Sequence, residues 1–582
     1  MLKKIMAAKY SWLVVLVALV AINLLSSLYH SRIDLTKEKR YTLSDATKRL
    51  LVELDEDMQI DVFLKGDFPS GFKKLANSTE EFVGLLKDRN SSKVHYRFIS
   101  PQDEIPGTTL KYQDTLGAMG ASPINLTVQV KEGQAQKFVF PVALVTYKGQ
   151  TRLINLYNGG NRFISQVEIN KAEALLEYQF LKGMDEVVNP GKAVVGYSMG
   201  NGEPLIDANA YDTYDLSQSI QSRYRLFTFN LNTQKFIPDD FSVFVIVKPS
   251  LQFTEDEKLK IDQYIMRGGN VLFFVDRLFA ENDSLRFKPE TVAYDRNLNL
   301  TDLLFKFGAR INPDLVMDLQ CDLLSLVVGG DQNNPQKEFL PWNYYPVFQS
   351  KDNHIINRGI GLIGSKFVNS IDTIQDPAIK KTILLSSSSN SRIISTPTLI
   401  SLNENKTAPE DAKFKASDIP TAVLLEGNFT SLYKNRVGKS IMDSLQAAGL
   451  PFRAESGNAG KVILVADGDI VLNEIDREDG PLPMGWNSAA YEEYKKETQD
   501  ARYFIPFANR NFFMNCLEYC TNKPGIIETG NKKIDLRLLD STRVKEQRTT
   551  WQFINIGLPV LLVLLAGFVY QAIRRRKYTN KV

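Results

Sequence analysis

Residues 553–573 read FINIGLPVLLVLLAGFVYQAI, 21 residues without a charge, and the chain turns at once into Arg574, Arg575, Arg576 and Lys577. As a helix rising about 1.5 Å per residue the run covers about 31 Å, the thickness of a bilayer's hydrocarbon core. Gly557 and Pro559 weaken a soluble helix, but membrane helices tolerate both, and the basic cluster behind them reads as a cytoplasmic stop. Whatever the remainder folds into is held at a membrane.

A second uncharged run, residues 10–28 (YSWLVVLVALVAINLLSSL), follows Lys3, Lys4 and Lys9. Its 19 residues exceed the apolar core of a signal peptide, and no small-x-small cleavage site precedes Tyr29, His30, Ser31 and Arg32. No cysteine follows for lipid attachment. The expectation is an uncleaved anchor, with residues 1–9 and the tail 574–582 cytoplasmic and the bulk of the chain outside. Arg32, Lys37, Arg537, Arg543, Lys545 and Arg548 flank the other ends of the anchors, so the topology rests on basic residues crowding the outer ends.

The residues between the anchors suffice for two to four domains. The chain as a whole has 43% hydrophobic residues, 24% charged and a formal charge of +3, an ordinary globular composition with no basic footprint for nucleic acid. Three cysteines, Cys321, Cys516 and Cys520, are too few for a disulfide scaffold. Cys516 and Cys520, four apart in FFMNCLEYC, share a helix face and read as small buried hydrophobes, not a redox or metal pair, because no histidine or further cysteine lies near. No cofactor and no metal are expected.

After a linker (29–45), a helix capped by Ser44 carries Ala46, Leu50, Leu51 and Leu54 on its apolar positions. A strand at 59–64, a helix at 72–87 and a strand at 94–99 make a β-α-β unit. This resembles a thioredoxin-like half, but Asp67, Phe68, Pro69 and Ser70 stand after the first strand and no C-x-x-C is present, so thiol chemistry is excluded. Short strands at 128–130, 137–145 and 152–156, around Gly133 and Gly149, and a helix at 164–181 complete a first α/β domain (46–185). Asn189 and Pro190 mark the boundary.

The second α/β domain (190–522) carries the clearest fold signal. Strands at 192–197, 226–229, 241–247 and 271–275 alternate with helices at 215–224 and 254–266, the latter opened by a Thr254-x-x-Glu257 capping box and stopped by Gly268 and Gly269. The alternation predicts a doubly wound, mostly parallel sheet, with function at the C-terminal ends of its strands. Further apolar pieces fall at 311–317, 325–328 and 381–385, the last running into a flexible serine run (386–389). Buried strands follow at 421–426 and 461–466, the latter closing on Asp467-Gly468-Asp469. A polar insertion at 481–502 carries a helix with Trp486, Tyr491, Glu492 and Tyr494, and a juxtamembrane segment (523–552) leads to the anchor.

One strand end offers a motif. Gly196-Tyr197-Ser198-Met199-Gly200 fits G-x-S-x-G, and Asp276 and His354 follow in the Ser, Asp, His order of an α/β-hydrolase. A nucleophile elbow runs straight into a helix, whereas Asn201, Gly202, Glu203 and Pro204 continue a turn, and His354 in SKDNHIINRGI reads as an exposed loop. A membrane-tethered serine hydrolase using Ser198, Asp276 and His354 is thus the alternative, and a non-catalytic protein the main reading. Ser198, Gly200, Asn201, Gly202, Glu203 and Asp276 are its candidate ligand-binding residues, although Asp276 with Arg277 also reads as a cap or turn. No G-x-x-x-x-G-K-[ST] is present, so ATP hydrolysis through a P-loop is excluded; Gly329, Gly330 and Asp331 read as a turn.

The stretches RIDLTKEKRYTLSDATKRLL, VVGYSMGNGEP, LQFTEDEKLKIDQYIMRGGNVLFFVDR and VILVADGDIVLNE with FANRNFFMNCLEYC, in that order, resemble the ABC-transporter auxiliary family. Among its branches the chain is most similar to the gliding-motility-associated membrane proteins. The resemblance implies a non-ATPase component of the bacterial inner membrane, working with a separate ATPase and a membrane permease and linked to gliding and its secretion machinery. Many relatives carry a histidine in a G-H-G-E turn where this chain has Gly200-Asn201-Gly202-Glu203, a departure that weakens a ligand role for the loop.

Overall fold

The structure, a computed structural model, describes most of residues 42–579 together with Leu16, Val17, Leu19 and Val20; the longer stretches outside the description are 1–15, 21–41, 158–165, 499–506 and 530–540. The expected N-terminal anchor and the linker behind it therefore lie almost wholly outside the described residues. Residues Met1–Lys532 and Lys533–Val582 form two separate units.

The first unit opens as its local chemistry directs. The Ser44 hydroxyl accepts the Thr47 N–H at 3.1 Å and caps α1 (Asp45–Val52). β1 (Met58–Val62) buries Met58, Ile60 and Val62, the period-two pattern of a half-covered strand. α2 (Ser70–Arg89) crosses over and β2 (Val94–Phe98) pairs parallel to β1. A hairpin of Ile124–Val130 with Gly133–Val139 precedes a second hairpin, β3 (Val142–Tyr147) and β4 (Gln150–Asn155). The resulting sheet has the order β2-β1-β3-β4, and α3 (Gln166–Val188) packs on it.

The larger sheet follows. β5 (Val194–Met199), α4 (Tyr214–Arg223), β6 (Arg225–Asn230), β7 (Val243–Val247), α5 (Glu255–Met266) and β8 (Val271–Phe274) alternate along the chain. After a long excursion come β9 (Ile379–Ser386), β10 (Pro420–Gly427) and β11 (Gly460–Val465), and α6 (Asn509–Thr521) then packs back against α4. The order is β6-β5-β7-β8-β11-β10-β9; the first five strands are parallel, β10 runs against them, and β9, antiparallel to β10, runs with them. β7 (VFVIV) and β8 (VLFF) are buried at every position, as strands covered on both faces must be. The sequence order 2-1-3-4-5 of the parallel strands reverses direction between β5 and β7, the switch point of an open sheet. The mixed α/β class expected from the alternation is the class observed.

Residues 275–378 leave the sheet to form small antiparallel pieces, including a ribbon of Cys321–Gly330 with Pro335–Gln349. Their own core gathers Trp342, Tyr344, Tyr345 and Phe367. This excursion folds back over the strand ends, where the Asn369 N–H donates to the Ala466 carbonyl at 3.1 Å. The serine run after β9 is not a flexible spacer: Ser388 donates its N–H and its hydroxyl to Asp318 at 2.7 and 2.6 Å, because a fully buried carboxylate requires donors. Helix α3 is tied to α6 through Glu518, which accepts from the Tyr178 hydroxyl at 2.5 Å and pairs with Lys182.

The second unit contains α7 (Ser541–Thr579). Within it Thr550–Arg576, 27 residues whose most apolar 18-residue window has a mean hydropathy of 2.3, is long and apolar enough to cross a membrane and buries none of that window in the protein. Pro559 lies inside this helix without ending it.

Candidate functional site

The switch point between β5 and β7 is where an open sheet of this order offers its strand-end crevice. Here the crevice is clipped shut. The Asn201 carbonyl accepts the N–H groups of Ser250 and Leu251 at 2.9 and 2.8 Å, and the Ser250 hydroxyl donates to the Gly202 carbonyl at 3.0 Å. Gly202 is required: its φ is +74°, and a Cβ there would stand 2.1 Å from Ser250 Oγ. The Gly200 carbonyl accepts from Asn232 Nδ2 at 3.0 Å.

Beneath this clip the polar side chains bond to one another. Ser198, fully buried, donates its hydroxyl to Glu203 Oε1 at 2.7 Å, and the Asn201 N–H donates to Glu203 Oε2 at 2.7 Å. Asn201 Nδ2 donates to Glu257 Oε2 at 2.9 Å, which also accepts the Thr254 N–H at 2.8 Å and so joins the loop to the capping box of α5. Burial pushes the Glu203 carboxyl above its ordinary range, against the Ser198 and Asn201 bonds that favour its anion, and the Glu257 charge adds to the rise. Asn201 Oδ1 is buried without a hydrogen-bond partner among the described residues.

A second cluster lies at the ends of the neighbouring strands β7, β8 and β11. Lys248, at φ +43°, places its Nζ 2.6 Å from Asp469 Oδ1 and 3.2 Å from Asp276 Oδ2. The Gly468 N–H donates to Asp276 Oδ1. Asp467, with no exposed surface, accepts the N–H groups of Lys366 and Asp469 at 2.8 and 2.7 Å. Burial first, then the Asp276 and Asp469 charges, drive the Asp467 carboxyl well above the carboxylate range. Gly468 permits the approach, since a Cβ would stand 2.6 Å from that of Lys248. Asp276, Asp467 and Asp469 bring three carboxylate oxygens within 4.8 Å of one another, the group among the described residues able to hold a metal.

The structure thus unites Ser198, Gly200, Asn201, Gly202 and Glu203 in one cluster and places Asp276 in the other. His354 belongs to neither. It is buried, not exposed as its sequence context suggests, because Ile355 and Ile356 enter the core beside it. Its ring centroid lies 4.6 Å from that of Tyr519, whose hydroxyl donates to Glu426. Glu426 pairs in register with Lys461 at the start of β11, whereas Asp467 follows the end of that strand, roughly 15 Å away. Burial lowers the His354 pKa to about 4. A Ser198, Asp276 and His354 triad therefore does not assemble, and Ser198 is bonded to a carboxylate. The buried positions of Cys516 and Cys520 agree with their reading as small hydrophobes.

Lys248, Asp467 and Asp469 were not among the candidate residues read from sequence. Each follows an uninterrupted apolar strand, the same signal that picked out Asp276, and applying it at VFVIVK and VILVADGD finds all three.

An uncharacterized protein of Borreliella burgdorferi is 21% identical over 435 residues, which cover 72% of this chain and 78% of that protein. Among solved structures, the mmIFT52 N-terminal domain aligns with a TM-score of 0.29 and 11% identity over 57% of this chain and 98% of that one. A putative ThuA-like protein from Parabacteroides merdae aligns with a TM-score of 0.23 and 9% identity over 60% and 92%. Residues 37–146 match a domain of unknown function, DUF7088. Residues 192–516, which hold the parallel sheet and both strand-end clusters, match the family described as an ABC-type uncharacterized transport system. That match spans more than half of the chain, and the chain belongs to this family of ABC transport auxiliary proteins.

Proposed function

We propose that the chain is a non-catalytic, substrate-binding-like auxiliary subunit of a membrane ABC transporter, docking a separate permease and ATPase. The observation that carries this reading is the match over residues 192–516 joined to an apolar helix at Thr550–Arg576. The strand ends support it, since their polar groups are bonded to one another and the fully buried Ser198 hydroxyl is taken up by Glu203, with no histidine beside it among the described residues. Within the family we assign the chain to the gliding-motility branch typified by GldG, with its secretion machinery, on the five stretches that carry the resemblance. Residues 10–28 act as a second anchor, both termini are cytoplasmic, and the bulk lies in the periplasm of the bacterial inner membrane. We divide that bulk into a thioredoxin-like domain (46–185) and a larger α/β domain (190–522); the order β2-β1-β3-β4 supports the first.

Crosslinking in native membranes, followed by purification through this chain, tests the proposal. Recovery of a polytopic permease and its ATPase is expected; recovery of neither, under conditions that preserve other membrane complexes, refutes it. A second reading makes Ser198, Gly200, Asn201, Gly202, Glu203 and Asp276 contacts for a small ligand. It is favoured by one observation, the unpartnered Asn201 Oδ1 between two buried carboxylates. A thermal-shift screen without a hit counts against it.

A further inference from the structure

The apolar helix carries a polar demand that its own sequence does not meet. α7 continues through Pro559, and a proline has no N–H to give to the carbonyl four residues back. That carbonyl belongs to Asn555, which is exposed on the helix surface and whose side-chain amide bonds to no described residue. Ile556, Gly557, Leu558, Val560, Leu561 and Leu562, the neighbours of the freed carbonyl, bring no side-chain donor to it.

Depth makes this demand costly. Trp551 and Tyr570 stand about 28 Å apart along the helix, close to the thickness of a hydrocarbon core, and such amphipathic rings settle at its two surfaces. The Trp551 indole N–H donates to Gln547 at 3.3 Å, back toward the charged residues Lys545 to Arg548. Asn555 lies one turn, about 6 Å, inside Trp551, where lipid tails offer neither donor nor acceptor. Its carbonyl points along the axis toward Pro559, deeper still. The short amide side chain does not reach back to the surface as lysine and arginine do, whereas Gln571 sits beside Tyr570 at the far surface.

The inventory of groups selects the partner. The Asn555 amide has two N–H donors and a carbonyl acceptor, and the freed backbone carbonyl adds a second acceptor. Two donors and two acceptors make the site self-complementary. In a parallel pair of copies both asparagines lie at one depth, and each amide gives one N–H to the other's Oδ1 and one to a freed backbone carbonyl. Two-fold symmetry supplies that registry without a second sequence having to match it. On the same face Pro559, Leu562, Ala566 and Val569 follow Asn555 at alternating spacings of four and three residues, and all are exposed. Such a seam is the one along which membrane helices pack at a shallow left-handed crossing.

We propose that α7 pairs with α7 of a second copy of this chain, through reciprocal Asn555 amides at the head of the seam formed by Pro559, Leu562, Ala566 and Val569. The inference rests on the reading above in one respect, that Thr550–Arg576 spans the membrane, and is independent of the permease and the ATPase.

Disulfide crosslinking of the full chain in native membranes tests it, with Leu562→Cys on the seam and Leu564→Cys on the opposite face. The unsubstituted chain controls for Cys321, Cys516 and Cys520. Mild oxidation is expected to give a dimer band at least fivefold stronger with Leu562→Cys than with Leu564→Cys, and adding Asn555→Leu to Leu562→Cys reduces that band at least fivefold. Equal bands from the two cysteines, or a Leu562→Cys band that Asn555→Leu leaves unchanged, overturn the proposal. Labelling of Arg548→Cys and Arg576→Cys by an impermeant maleimide in oriented vesicles separates the two readings. Labelling from opposite sides without a seam-specific dimer contradicts the pairing alone, whereas labelling of both from one side contradicts the spanning helix and the pairing with it.

Discussion

Two buried polar clusters stand side by side at the ends of one parallel sheet and are held by different means. After β5, the Glu203 and Glu257 carboxylates take hydrogen bonds from neutral donors: the Ser198 hydroxyl, the Asn201 amide and backbone N–H groups. After β7, β8 and β11, Asp276 and Asp469 share the Lys248 ammonium, and Asp467 relies on backbone N–H groups alone. Loss of a neutral donor costs about one hydrogen bond, whereas loss of the shared ammonium removes an ion-pair partner from two carboxylates at once. The first cluster is a brace that tolerates amide chemistry; the second is a balance that does not.

The largest expected effect breaks that balance. Lys248→Met lowers stability by roughly 3 kcal/mol, read by denaturant titration of the full chain in detergent. A variant as stable as the wild type erases the distinction between the clusters. Next comes the backbone of the brace. Gly202→Val, a β-branched residue at φ +74° with its Cβ pressed on Ser250, lowers stability by roughly 2 kcal/mol in the same titration.

Glu203→Gln sharpens the comparison through pH. Burial raises the Glu203 pKa above its ordinary 4.5, so the folded chain holds this proton more tightly than the unfolded chain. The stability this group contributes is complete below about 4.5 and is lost as pH rises through the folded value. Glu203→Gln removes that slope, so the stability of the variant relative to the wild type rises with pH from about 4.5 upward; parallel profiles contradict the account. The smallest effect lies at the helix. Thr254→Ala deletes the acceptor of the Glu257 N–H, lowering stability by about 1 kcal/mol, measured by thermal melt.

What was legible in the sequence was local. VFVIV and VLFF announced strands covered on both faces, Thr254 and Glu257 announced the start of α5, Ser44 announced α1, and the uncharged run at 553–573 announced a helix long and apolar enough to cross a membrane. What was not legible depends on strand order. Gly468 and Asp276 meet across 192 residues because β11 inserts beside β8 after a long excursion, and no periodicity encodes that neighbour. The same holds for Asp318, which turns the serine run after β9 into a buried latch, and for Tyr519, which covers His354. The residues of the candidate site were readable one by one, but their grouping only in part: Ser198 to Glu203 are neighbours along the chain, whereas Lys248, Asp276 and Asp467 are neighbours in the sheet alone.

The most direct measurement is recovery of partners from crosslinked native membranes by three forms of the full chain: wild type, Ser198→Ala, and a variant whose Thr550–Arg576 segment is exchanged for an unrelated membrane-spanning helix. The account predicts that wild type and Ser198→Ala recover a permease and an ATPase equally, and that the exchanged helix loses them. Failure of the wild-type chain to recover either partner, or loss of both through Ser198→Ala in a chain that remains folded, would contradict it.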